Sequence, residues 1–129
     1  MKKKRSTSRQ PLEANGHGMP VYNLESGRPI LDEARLKLSG IIETERRRGT
    51  KALKIIHGWG SSGVGGVLRV GLRNFLQSRK REGGIREFIP GEDLSLNVKI
   101  TDVLKDHPGL SSDPDFGRGN PGVTIIIIS

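Results

Sequence analysis

Near the C-terminus, Val123-Thr124-Ile125-Ile126-Ile127-Ile128 is β-branched at every position, and it constrains the fold more than any other segment of the 129 residues. Such side chains favour extended backbone. A strand that is apolar on both faces needs cover on both, so this one belongs inside a sheet and not at its edge. Its partners are readable upstream. Val21-Tyr22-Asn23-Leu24 reads as a short strand closed by a Glu25-Ser26-Gly27 turn. Ala52 to His57 is a second strand, apolar apart from Lys54, and Ile85 to Ile89 a third, stopped by Pro90.

Between these strands the apolar period lengthens to that of a helix. Leu31, Ala34, Leu38 and Ile41 or Ile42 share one face. Pro29 suits the first turn, Asp32 and Glu33 with Arg46, Arg47 and Arg48 complement the dipole at its two ends, and Gly49 supplies a stop. A second helix, over about 65–82, carries Val67, Leu68, Leu72, Phe75 and Leu76 and ends at Gly83-Gly84. Gly71 inside it costs about 1 kcal/mol relative to alanine, so packing must hold it. The order β-α-β-α-β, a long connection, then β predicts a two-layer α/β sandwich with a four-stranded mixed sheet and two helices.

The connection, about 90–122, is acidic: Glu92, Asp93, Asp102, Asp106, Asp113 and Asp115 stand against Lys99, Lys105 and Arg118. Leu94 to Ile100 alternates as an added strand would, Thr101 to Asp106 suits one helical turn, and 113–122 is turn chemistry throughout. A connection this long is functional or disordered. Residues 1–20 differ again, with Lys2, Lys3, Lys4, Arg5 and Arg9 against Glu13 and no periodicity. They read as a disordered basic tail, which leaves 21–129 as the domain.

Where the second strand meets the second helix, Lys54-Ile55-Ile56-His57-Gly58-Trp59-Gly60-Ser61-Ser62-Gly63-Val64-Gly65-Gly66 packs five glycines behind a histidine. Glycines admit close approach of a ligand to the backbone, and a helix start aims N–H groups and a positive dipole end at one place. This is the chemistry of a phosphate site with an imidazole beside it. The loop N–H groups of Gly58, Gly60, Ser61, Ser62, Gly63, Gly65 and Gly66, with Arg69 and Arg73 on the helix, would hold the anion. Trp59, the single tryptophan, would stack on an unpaired base or pack as a lid over the turn.

Gly58-x-Gly60-x-x-Gly63 also matches the dinucleotide fingerprint, but no acid for a ribose follows at the expected spacing, and no Gly-Lys-Ser/Thr marks a P-loop. No nucleotide cofactor is expected. The net charge of +8 favours polyanions. The absence of cysteine excludes thiolate metal sites and suits a reducing cytoplasm. No apolar run approaches the roughly 20 residues of a membrane span, and no apolar segment follows the basic N-terminus as a secretory signal requires. The expected protein is cytoplasmic and monomeric.

The strand ending in His57-Gly58-Trp59-Gly60, the glycine loop and the Leu68-Arg69 helix resemble the small MutS-related (Smr) domain, over about residues 21–129. Its H-G-x-G signature falls on His57, Gly58 and Gly60. The family's first motif, L-D-x-H-G, lies at the end of the first strand, where this chain reads Tyr22-Asn23-Leu24-Glu25-Ser26-Gly27. Asn23 stands near the expected aspartate, Glu25 near the expected histidine, and one residue is inserted before Gly27.

The resemblance implies the fold of the C-terminal domain of translation initiation factor three, and DNA or RNA as partner. It further implies a structure-selective endonuclease, or else a non-catalytic binding module or adaptor related to MutS2-type repair or ribosome-rescue factors. As a nuclease the chain would use His57 as general base or acid, with Glu25 or Asn23 as the second group. Glu25 would need a raised pKa or a divalent metal, and no cofactor is otherwise called for.

Overall fold

A computed structural model describes residues 13–14, 18–59 and 64–129. In chain order the elements are β1 (Glu13–Ala14), β2 (Pro20–Asn23), α1 (Leu31–Arg47), β3 (Ala52–Ile56), α2 (Val64–Arg81), β4 (Glu87–Pro90), α3 (Val98–Asp106) and β5 (Val123–Ile127). The sheet runs β1-β2-β3-β5-β4. β2 and β3 are parallel, and the remaining neighbours are antiparallel. The fold is α/β, with the expected mixed sheet formed by β2, β3, β5 and β4. Two residues of the basic tail, Glu13 and Ala14, add a short strand beyond β2, and most of the tail lies outside the described residues.

β5 sits between β3 and β4 and is buried along its whole length, as its unbroken apolar run requires. Its alternate side chains serve two cores. Ile126 joins Leu38, Ile41, Leu53, Ile55, Leu72 and their neighbours under α1 and α2. Ile125 and Ile127 face the other way and pack with Met19, Leu94, Ile100, Val103 and Leu110. The long connection therefore covers the second face of the sheet, and the expected two layers become three.

Within that third layer the expected strand over 94–100 is absent. Asn97 caps α3 instead, its Oδ1 accepting from the Ile100 N–H at 3.1 Å. Two residues that made the strand pattern, Leu96 and Val98, are 79% and 91% exposed. The buried residues Ile100 and Val103 follow a helical period, so the cap and that period outweigh the alternation.

Other boundaries shift slightly. Pro29 precedes α1 instead of lying in its first turn, because the Glu33 carboxylate accepts from the Ile30 N–H at 3.3 Å and fixes the helix start there. Pro90 ends β4 in register with Thr124, which an edge strand tolerates. α1 and α2 pack in one direction. The Leu31 side chain occupies the space a Cβ on Gly71 would need, and Arg79 donates to Ser39 Oγ at 2.9 Å about two turns further on. The glycine inside α2 is thus explained by helix–helix contact.

Candidate nucleic-acid interface

Because β2 and β3 are parallel, both motif positions emerge at the same edge of the sheet. Asn23 pairs with Ile56, and the Leu24 N–H donates to the Ile56 carbonyl at 2.8 Å. The two differ in what they offer. Asn23 Oδ1 accepts from the backbone N–H groups of Glu25 and Ser26 at 2.9 and 3.0 Å, so it shapes the turn. The Glu25 side chain is half-buried and has no hydrogen-bond or ion-pair partner among the described residues.

His57 is fully buried. Its Nδ1 lies 2.7 Å from the Gly58 carbonyl oxygen and its Nε2 2.8 Å from Thr124 Oγ1. A carbonyl only accepts, so the proton belongs on Nδ1 and Nε2 accepts from the threonine hydroxyl. That hydroxyl in turn accepts from Arg73 Nε at 3.1 Å. The chain of donors runs Arg73 to Thr124 to His57 to Gly58, and each member is satisfied with a neutral imidazole. Burial pushes the His57 pKa down from 6.5 to about 4, with the cations Arg73 and Arg69 adding to the effect and the Gly58 bond opposing it.

Arg73 is held from several sides. Its terminal nitrogens donate to both oxygens of Glu92 at 2.8 Å and to the carbonyls of Pro121 and Val123 at 3.2 Å. Burial alone would raise the Glu92 carboxyl; the bonds from Arg73 outweigh it and hold that group below the usual range. Arg69, one turn earlier, is half-buried and makes no ion pair among the described residues.

Gly58 has φ +78, the left-handed region that favours glycine, and its N–H donates to the Gly122 carbonyl at 3.1 Å. Trp59 is 57% exposed, with one indole edge against Gly122. One edge of the ring thus packs on the turn, and the rest of it faces solvent. Gly65 and Gly66 lie in the first turn of α2. Gly60, Ser61, Ser62 and Gly63 lie outside the described residues. No three His, Cys, Asp or Glu side chains come together as metal ligands among those described.

Sequence reasoning missed Thr124, Glu92 and Gly122. Thr124 carried a signal, as the one polar residue in the apolar run of β5. Glu92 and Gly122 carried none, since only the fold brings 92 and 122 to residue 57.

The family model of the Smr domain matches residues 30–93. Among solved structures, the chain is similar to the Smr domain of Thermus thermophilus MutS2, at 21% identity and a TM-score of 0.53. That match covers 84% of this chain and 96% of the other. No curated protein matches the chain.

Proposed function

This chain carries an Smr domain, and on that premise we propose that it binds DNA or RNA at the edge where β2 and β3 end, without cutting it. The carrying observation is the state of His57. A general base needs an accessible lone pair and a general acid a proton near neutral pH. Here both ring nitrogens are engaged in a buried network and the pKa lies near 4. What remains available at that edge is suited to contact: the Trp59 face, and Arg69, without an ion pair among the described residues, in the first half of α2, a helix that carries no acid. Stacking of a base on an aromatic ring is worth about 1–3 kcal/mol and tolerates any sequence. An unpaired strand is therefore the favoured ligand.

The test pairs binding with cleavage, on single-stranded RNA and DNA, for the wild type and for His57→Gln. Affinity should fall steeply between about 50 and about 200 mM salt, as phosphate contacts demand. Neither protein should cut. Cleavage by the wild type that disappears in a folded His57→Gln protein would establish the endonuclease instead, and lack of any salt-dependent binding would remove the nucleic-acid reading.

A further inference from the structure

We infer that Asp115 and Asn120, in the connection between α3 and β5, are positioning residues for the Trp59 face of the interface, acting through Gly122. The inference takes its use from the nucleic-acid reading, while its geometry stands apart from it.

The circuit starts on β3. Lys54 is buried and donates to Asp113 Oδ1 at 2.7 Å and to Asp115 Oδ2 at 2.6 Å. The other oxygen of Asp115 accepts from Asn120 Nδ2 at 3.0 Å. Asn120 Oδ1 accepts from the Gly122 N–H at 2.9 Å. The Gly122 carbonyl then accepts from the N–H groups of His57 at 2.9 Å and Gly58 at 3.1 Å, which returns the path to the end of β3. The first and last links join the covering layer to the strand that leads into the His57–Trp59 segment, and the two between them tie the 113–122 turn to itself.

Gly122 is also where the indole rests. A Cβ built there would lie 3.2 Å from Trp59 Cδ1 and 3.1 Å from Asn120 Oδ1, so ring and amide close on the bare Cα from two sides. The turn has backing as well. A Cβ on Gly91 would run into the Asn120 carbonyl oxygen, and Arg73 grips the carbonyls of Pro121 and Val123. An aromatic platform that is already fixed spends less of its stacking energy on ordering itself. A half-exposed tryptophan just past the end of β3 needs such a backing, and in this chain the 113–122 turn supplies it.

Trp59 is the only tryptophan, so its fluorescence reports this spot alone. Asn120→Ala cuts the tie to Gly122 and leaves the Lys54–Asp115 bridge. Gly122→Ala keeps the circuit but crowds the ring. Without nucleic acid, both variants should keep the wild-type far-UV circular dichroism while Trp59 emission shifts and its quenching by acrylamide changes. Unchanged emission and quenching in both variants would overturn the inference. With a single-stranded oligonucleotide as probe, Trp59→Ala and Asn120→Ala should each lose roughly tenfold in affinity. The double variant should bind no more weakly than Trp59→Ala, and additive losses would overturn the inference too. Should the wild-type protein fail to bind the oligonucleotide, the interface reading falls, while the emission measurement still decides the positioning.

Discussion

The His57 imidazole ties the stability of this protein to pH in a window its carboxylates do not share. In the folded chain its pKa is about 4, and unfolded it returns to 6.5, so between those values only the unfolded state takes up a proton. The contribution is therefore complete above pH 6.5 and is lost as pH falls through 4. A displacement of ~2.5 pH units at about 1.4 kcal/mol each amounts to ~3 kcal/mol. About 2 kcal/mol of it is gone by pH 5. Against a total of roughly 5–15 kcal/mol for a domain, that is a large share. Glu92 and Asp115 are also held below their ordinary values, but carboxylates give up such stability only on acidification below their unfolded range near 4. Urea unfolding at a series of pH values, for the wild type and for His57→Gln, isolates the imidazole. The wild-type midpoint should drop between pH 6.5 and 4.5, and the variant's curve should be flatter there. Proton NMR should find the His57 ring neutral until well below pH 5. An imidazole that titrates near 6.5 in the folded protein, or equal slopes for the two proteins, would refute the burial argument.

Lys54→Met should cost ~3–5 kcal/mol, because it removes the buried cation that Asp113 and Asp115 share. Lys54→Met with Asp113→Asn should recover part of that loss, and chemical denaturation with far-UV detection measures both; a loss below about 1 kcal/mol would mean that water, not Lys54, satisfies the aspartates. Arg69→Ala and Arg73→Ala should separate by phenotype: the former should lower the salt slope of oligonucleotide binding by about 0.7 with little change in stability. The latter should destabilise the fold by roughly 2–4 kcal/mol through Thr124, Glu92 and two carbonyls left unpaired, and equal effects from the two would refute the assignment.

The sheet was legible because its strands announce themselves in the chain. β5 is central for the reason its composition gives, and α1 and α2 follow the apolar period and stop at Gly49 and Gly83, both with positive φ. The covering layer was not legible. Its residues are spaced by what Ile89, Ile125 and Ile127 need from across the sheet, a demand no local window records. Leu96 and Val98 mimic strand positions while facing water. The interface was half legible. His57, Gly58 and Trp59 stand out as a motif, and the parallel β2–β3 pair brings Asn23 and Glu25 to the same edge. A strand-end histidine that bonds the backbone of its own turn is a reading the sequence allows, but the groups that close His57 in, Thr124 and Gly122, stand more than 60 residues away and no local window names them.

The polar groups inside the molecule explain why the covering layer and the interface behave as one unit. Apolar contact is non-directional, so the cluster around Leu94, Ile100 and Leu110 would hold the layer against the sheet without fixing where the 113–122 turn falls. Direction comes from Lys54, Asp113, His57 and Thr124, four of the buried polar side chains. Lys54 and Thr124 lie on the adjacent strands β3 and β5, where Lys54 faces Ile125 and Ile55 faces Thr124; His57 follows the end of β3, and Asp113 belongs to the covering connection. Burying a salt bridge gains little net stability, because desolvation offsets the attraction. What the Lys54 pair supplies is a single seating for the turn, and the Arg73–Thr124–His57 chain supplies the same for the end of β3. The histidine of the H-G-x-G motif thereby helps to hold the segment that presents Trp59, with both of its ring nitrogens engaged in that task.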